Sequence, residues 1–174
     1  IAYYKSTGGY ACYATKPSTW SAYVIDAEDA VGRYIDLKPN PNGGYAWAVA
    51  YSDTGDGGLK YAEGDTSSWT AVQVETLSQE GAYISLAFDG SNDPAISYYD
   101  CYNADLRYAV RPDASWSASA VVTHLYSGRY TTLFFDSNDD PNIVYHKTNS
   151  SSTPFQVQWA QDDGDGWDIE ILTT

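Results

Sequence analysis

Two short stretches concentrate side-chain oxygens at regular spacing: Asp89, Ser91 and Asp93 in DGSND, and Asp136, Asn138 and Asp140 in DSNDD. Alternating oxygen ligands in a tight loop suit a hard cation such as calcium, which is held by several oxygens and little else. The match is partial, because Pro94 and Pro141 follow at once, later ligands are missing, and the corresponding stretch earlier in the chain reads KPNPN. The same residues also make ordinary turns with solvated acids, and that reading is preferred over calcium.

Groups for catalysis are sparse. His124 falls in a link between repeated segments, and His146 stands where other copies have Ser or Tyr, so each reads as a substituted repeat position rather than a base. No Ser/His/Asp or Cys/His set converges, and no pair of carboxylates stands out for glycoside hydrolysis. Arg33 and Arg129 occupy equivalent places at the start of strand segments, with Ala82 in the third copy, and there they can meet an anion. A protein without enzymatic activity is expected.

The elements that carry these residues repeat. GRYIDL, GAYISLAFD and GRYTTLFFD begin with Gly32, Gly81 and Gly128, a period of about 48 residues. A second phrase runs IAYYK, VAYSD, ISYYD, IVYHK, which makes Tyr3, Tyr51, Tyr98 and Tyr145 equivalent. Tyr13, Tyr61, Tyr108 and Trp159, each followed by Ala, mark a third phrase, and Trp20, Trp69, Trp116 and Trp167 open a fourth. Every phrase is short, rich in Tyr, Val, Ile, Trp and Thr, and bounded by clusters such as DGSNDP and TGDGG, which are strand and hairpin signals. No sustained helical period interrupts them. The expected fold is all-β, with four short antiparallel strands per repeat.

The string SLAFD, DPAISYYD, LRYA and W over residues 81–116 resembles a β-propeller repeat of secreted and surface proteins of bacteria and archaea. The resemblance covers essentially the whole chain, more loosely over 32–75 and 126–174, and over 1–25 only in its later part. It implies a β-propeller of four-stranded blades, about four of them, in a single domain with units at approximately 1–31, 32–80, 81–127 and 128–174. The loop before each Trp is also similar to the Asp-box of sialidases, SxDxGxTW, although none of the four copies fits it fully.

The first unit supplies its second, third and fourth phrases without the first, so its blade is expected to lack an inner strand. The segment Ile1, Ala2, Tyr3, Tyr4 and Lys5 would then present an open backbone edge, and such an edge recruits another strand. This predicts a homo-oligomer or homopolymer in which a neighbouring copy completes or caps the blade.

Charge and composition narrow the partners. Twenty-three acidic residues against 9 basic ones give a formal net charge of -14, a field that repels nucleic acid and anionic membranes. No run approaches the roughly 20 apolar residues of a membrane helix. Tyr at 17, Trp at 6, no Met and abundant Ser and Thr point to an extracellular or cell-surface setting, where Asn149 in NSS is a glycosylation acceptor. Cys12, expected to face outward, and Cys101 are too few for a disulfide framework. The combined expectation is a structural or adhesive module that self-assembles into a multimer or filament. The alternatives are a glycan-binding lectin using repeated aromatic and Asp sites and, more weakly, a fragment of a larger propeller or a glycan-processing enzyme.

Overall fold

The computed structural model describes residues 1–66, 68–123, 126–148 and 155–173. Their regular structure is entirely β. The first sheet is three-stranded, β1 (Ala2–Lys5), β2 (Tyr10–Thr15) and β3 (Ser21–Asp26), in the order β1-β2-β3. Three four-stranded sheets follow, each also in chain order. The second contains β4 (Val31–Pro39), β5 (Trp47–Asp53), β6 (Gly58–Gly64) and β7 (Trp69–Glu75). The third contains β8 (Gly81–Phe88), β9 (Pro94–Asp100), β10 (Asp105–Val110) and β11 (Ser117–Val122). The fourth contains β12 (Ser127–Phe135), β13 (Pro141–Lys147), β14 (Gln156–Asp162) and β15 (Trp167–Thr173). Where strand registers are resolved between neighbours, the pairing is antiparallel.

Burial follows position within the sheet. In the third sheet every residue of β9 is buried, and in the second all of β5 after Trp47. Strands covered on both faces read as continuous apolar runs, which is why VAYS and AISYY lack alternation. The outermost strands β7 and β15 are largely exposed. Val49, Ile96 and Ile143, equivalent in the repeat, are all 0 % exposed, and each such side chain contributes about 1.5–3 kcal/mol.

The chain divides into two compact units, residues 1–81 and 82–174, each built on two sheets. In the first, Tyr51 and Val49 pack with Ala11, Tyr13, Ile25, Val31 and Ala62. In the second, Tyr145 and Ile143 pack with Ala95, Leu106, Val122, Leu133 and Ala160. One packing motif recurs in both. The ring of Tyr13 on β2 lies 5.7 Å from Trp69 at the start of β7, and that of Tyr108 on β10 lies 5.3 Å from Trp167 at the start of β15. The phenol tips of the buried tyrosines are paired, Tyr51 donating to Asp26 Oδ2 at 2.7 Å and Tyr145 to Gln158 Oε1 at 2.7 Å. These rings therefore pack between sheets with their polar ends satisfied.

Glycine opens the inner strands for a steric reason. A Cβ on Gly32 (φ +93°) would lie 2.8 Å from Ala11 Cα, and one on Gly128 (φ +107°) 2.7 Å from Leu106 Cα. A further regularity lies in the backbone. The strands β2, β6, β10 and β14 each shift register against the strand that follows, immediately around Cys12, Lys60, Arg107 and Gln158, the residues preceding the aromatic-Ala pairs.

One expectation needs correction. Cys12 does not face outward, being 2 % exposed in β2; Cys101 is partly exposed, and neither forms a disulfide. The edge strand β1 is not deeply enclosed: Ile1 is 64 % exposed, Lys5 is exposed, and Ala2, Tyr3 and Tyr4 are half-buried. On one side β1 pairs with β2, and Ile1 exchanges backbone bonds with Ala14. Water can reach an edge of this kind, so its open groups cost less than buried ones would.

Candidate functional site

The two oxygen-rich loops are built alike. Asp89 Oδ1 accepts the amides of Ser91 (2.9 Å) and Asp93 (2.8 Å), and Asp136 Oδ1 those of Asn138 (2.8 Å) and Asp140 (3.1 Å). Asp136 Oδ2 further accepts from Gln161 Nε2 at 3.1 Å. The loops approach each other, since Gly90 donates its amide to Asp139 Oδ1 at 2.6 Å. The leading Asp of each loop thus closes its turn by accepting backbone amides, as Asp53 and Asp100 do after β5 and β9. His124 and Asn149 lie outside the described residues.

In the first unit the acids gather around one cation. Lys60 Nζ stands 3.1 Å from Asp26 Oδ2 and 3.7 Å from Asp53 Oδ2 and pairs also with Glu28. Burial raises the Asp26 carboxyl, but hydrogen bonds from the Glu28 amide, Tyr51 and Lys60 outweigh it and leave it below its ordinary value. Burial pulls the Lys60 ammonium down, and hydrogen bonds with Glu28 and Asp26 more than reverse this. Glu28, Asp53 and Asp56 bring carboxylate oxygens within 4.8 Å of one another, beside an open cleft of about 430 Å³ that Asp29 and Gly55 also line. The protein's own ammonium answers the charge of Glu28 and Asp53. A neighbouring recess runs from Thr54–Gly57 to Ser78–Glu80. Neither hollow is lined by an aromatic ring, and Arg33, on β4 in the same unit, is exposed.

The second unit presents a different surface. Tyr83 on β8 meets Tyr99 on β9 edge-on at 6.1 Å and 63°, and Tyr130 on β12 meets His146 on β13 at 6.0 Å and 69°. These are one relationship made twice, because Tyr83 and Tyr130 are equivalent in the repeat, as are Tyr99 and His146. The two pairs join through Tyr83 and Tyr130, whose ring centroids are 4.6 Å apart, and the row continues from His146 to Phe155 at 4.7 Å. Arg129 lies over the Tyr99 ring with Cζ 5.4 Å from its centroid. In the first unit the matching position on β5 is Ser52, whose hydroxyl instead accepts the amide of Tyr34 at 3.1 Å.

Three features separate this row from simple packing. Tyr130 and Phe155 are 68 % and 67 % exposed, so their faces meet solvent. Tyr83 and Tyr130 both hold φ at +52°, a left-handed conformation that costs a side-chain-bearing residue about 1–2 kcal/mol. Buried nitrogens of two members, Arg129 Nε and His146 Nδ1, have no hydrogen-bond partner among the described residues. Burial lowers the Arg129 guanidinium, but its hydrogen bond with Tyr99 and the phenols of Tyr99, Tyr83 and Tyr130 raise it overall, so it stays charged.

Reading the phrases singly hides this cluster. His146 reads as a substituted repeat position, and Arg129 as a place in register with Arg33 that can meet an anion, neither as part of an aromatic row. The available signal was the coincidence of two aromatic positions in the last two repeats, Tyr83 with Tyr99 and Tyr130 with His146, against Ser52 in the repeat before them.

No protein-family model and no curated protein matches the chain. Among solved structures, a fucose lectin from Kordia zhangzhouensis in complex with methyl-fucoside is similar in fold, with a TM-score of 0.54 at 14 % identity over 80 % of this chain and 99 % of that one.

Proposed function

We propose that this protein is a glycan-binding, lectin-like β-propeller that acts outside the cell and carries out no chemistry on its ligand. The observation that carries this is the solvent-facing aromatic row of the second unit with two unpartnered nitrogens beside it. A pyranose offers an apolar face of C–H groups and an equator of hydroxyls. Tyr130 and Phe155 provide rings for the face, while the Arg129 guanidinium and the His146 imidazole beside them are the polar groups nearest its hydroxyls. Rigid aromatic side chains bring large contact area at low entropic cost, which suits a weak, multivalent ligand. Likeness in fold to a fucose lectin supports this reading. In it the four sheets are blades, the first lacking an inner strand, and the left-handed backbone at Tyr83 and Tyr130 turns their rings toward one another.

A broad glycan array probed with the intact protein tests the proposal. Binding to a defined set of glycans is expected, with Tyr130→Ala weakening the best ligand at least tenfold in titration calorimetry. Folded protein that binds no glycan, or a Tyr130→Ala variant that binds as well as the original, overturns it.

A second reading rests on the three-stranded first sheet. The side of β1 away from β2 has no partner strand among the described residues, and a strand from a neighbouring copy would complete it. Under this reading the protein assembles with itself, giving the multivalency a lectin exploits. Light scattering coupled to gel filtration is expected to return a multiple of 19.1 kDa, and a monodisperse monomer at working concentration overturns it.

A further inference from the structure

We infer that the Arg129 end of the aromatic row takes the anionic group of an acidic sugar, so that this surface selects carboxylated or sulfated glycans over neutral ones; the inference rests on the glycan-binding reading above.

Some of the chain's 9 basic residues are paired with carboxylates. Lys60 is surrounded by Asp26, Glu28 and Asp53, and Lys38 pairs with Asp36 at 3.3 Å. Arg129 is half-buried and no carboxylate reaches it among the described residues. Its surroundings are the rings of Tyr99, Tyr83 and Tyr130, with Tyr99 also a hydrogen-bond partner, and its Nε is enclosed without a partner among the described residues. A partly exposed guanidinium with no carboxylate beside it keeps donor capacity that an anionic ligand can take up.

The chemistry of the missing partner follows from the group. A guanidinium presents a flat fork of donors that matches two oxygens of a carboxylate or sulfate, giving short, charge-assisted bonds that a neutral hydroxyl does not equal. Stacking on Tyr99 fixes the plane of the fork before any ligand arrives. Tyr130 leads from this anion position toward His146 and Phe155, so one sugar ring can lie on the aromatic faces while its acidic substituent meets Arg129. The formal charge of -14 opposes the approach of an anion from a distance, so selectivity depends on this local contact and not on the field of the whole molecule.

The test is an array with matched members of the same backbone sugar: neutral, carboxylated, methyl-esterified at that carboxylate, and sulfated. The original protein is expected to prefer acidic members at least tenfold, and the separate carboxylated and sulfated arms show which anion fits. Esterification is expected to remove the preference for the carboxylated member. Arg129→Gln should level acidic and neutral signals, and Arg129→Lys, which keeps the charge without the fork, should leave a reduced preference; the two variants guard against one failing to fold. Equal binding of acidic and neutral members, or a preference that survives Arg129→Gln, overturns this inference while glycan binding stands. Absence of binding to any member overturns both.

Discussion

Tyr83 and Tyr130 stand on equivalent positions of two neighbouring sheets, hold the same φ of +52°, and bring their ring centroids to 4.6 Å. A strand residue with a large side chain rarely adopts this backbone, and here two do so at the point where their rings meet. In β12 the pairing with β13 shifts register on both sides of Arg129, so the strand bulges there and re-aims its side chains. A packing role alone is met by Tyr98 and Tyr145 without any such distortion.

Replacing either ring separates backbone strain from ring contacts. Tyr83→Gly and Tyr130→Gly are expected to be more stable than Tyr83→Ala and Tyr130→Ala by about 1 kcal/mol, because glycine adopts φ +52° without steric cost. Denaturant titration measures this, and equal stability of the Gly and Ala variants would show that no strain is held there.

Lys60 is expected to be the most sensitive charged residue of the first unit. Its side chain and those of Asp26 and Asp53 are 9 %, 7 % and 2 % exposed, so Lys60→Met leaves two buried carboxylates without their cation, at a cost of about 3–5 kcal/mol. Adding Asp26→Asn should recover part of the loss. A Lys60→Met variant as stable as the original would show that water already answers these charges.

The same groups set the dependence of stability on pH. Asp26 titrates lower in the folded chain than its ordinary 3.8, so its contribution is complete above that value and is lost as pH falls through the folded value. Lys60 is raised above its ordinary 10.5, and the buried phenols of Tyr51, Tyr108 and Tyr145 above 10.0, so their contributions are complete below those values and are lost as pH rises through the folded ones. Melting temperature should be flat between about pH 5 and about pH 9, fall in acid below about 4 and fall again in alkali above about 10. Destabilisation on going from pH 5 to pH 7 would contradict these shifts.

Gly32→Ala and Gly128→Ala should each cost about 2 kcal/mol or more, since the added Cβ meets the main chain of Ala11 or Leu106 and the backbone is left-handed at both sites. Similar losses at the two positions are the informative result. Chemical denaturation of the single variants checks it.

Asp136→Ala tests the oxygen-rich loops. With its Oδ1 accepting two turn amides, the substitution should cost about 1–2 kcal/mol with chelator and without. A melting temperature that drops on chelation in the original protein, and not in Asp136→Ala, would identify calcium in this loop.

The sequence alone established the all-β class, the four recurring phrases and the turns that separate them. These depend on neighbours in the chain: short runs of β-branched and aromatic side chains, and Asp, Asn, Gly and Pro at the bends, all act within a few residues of themselves. Tyr51, Tyr98 and Tyr145 were legible as packing residues because the same aromatic recurs in phase with buried aliphatics. What these local signals could not say is what each face of a strand would meet. Tyr99 and His146 follow Tyr98 and Tyr145 directly, and only the pairing of β8 with β9 and of β12 with β13 decided that they would join Tyr83 and Tyr130 in one row. The fate of the charges was decided in the same way. Nothing in the sequence distinguishes Lys60, held among three carboxylates, from Arg129, held among phenols, because a charge's environment is set by residues tens of positions away that folding brings within a few ångströms.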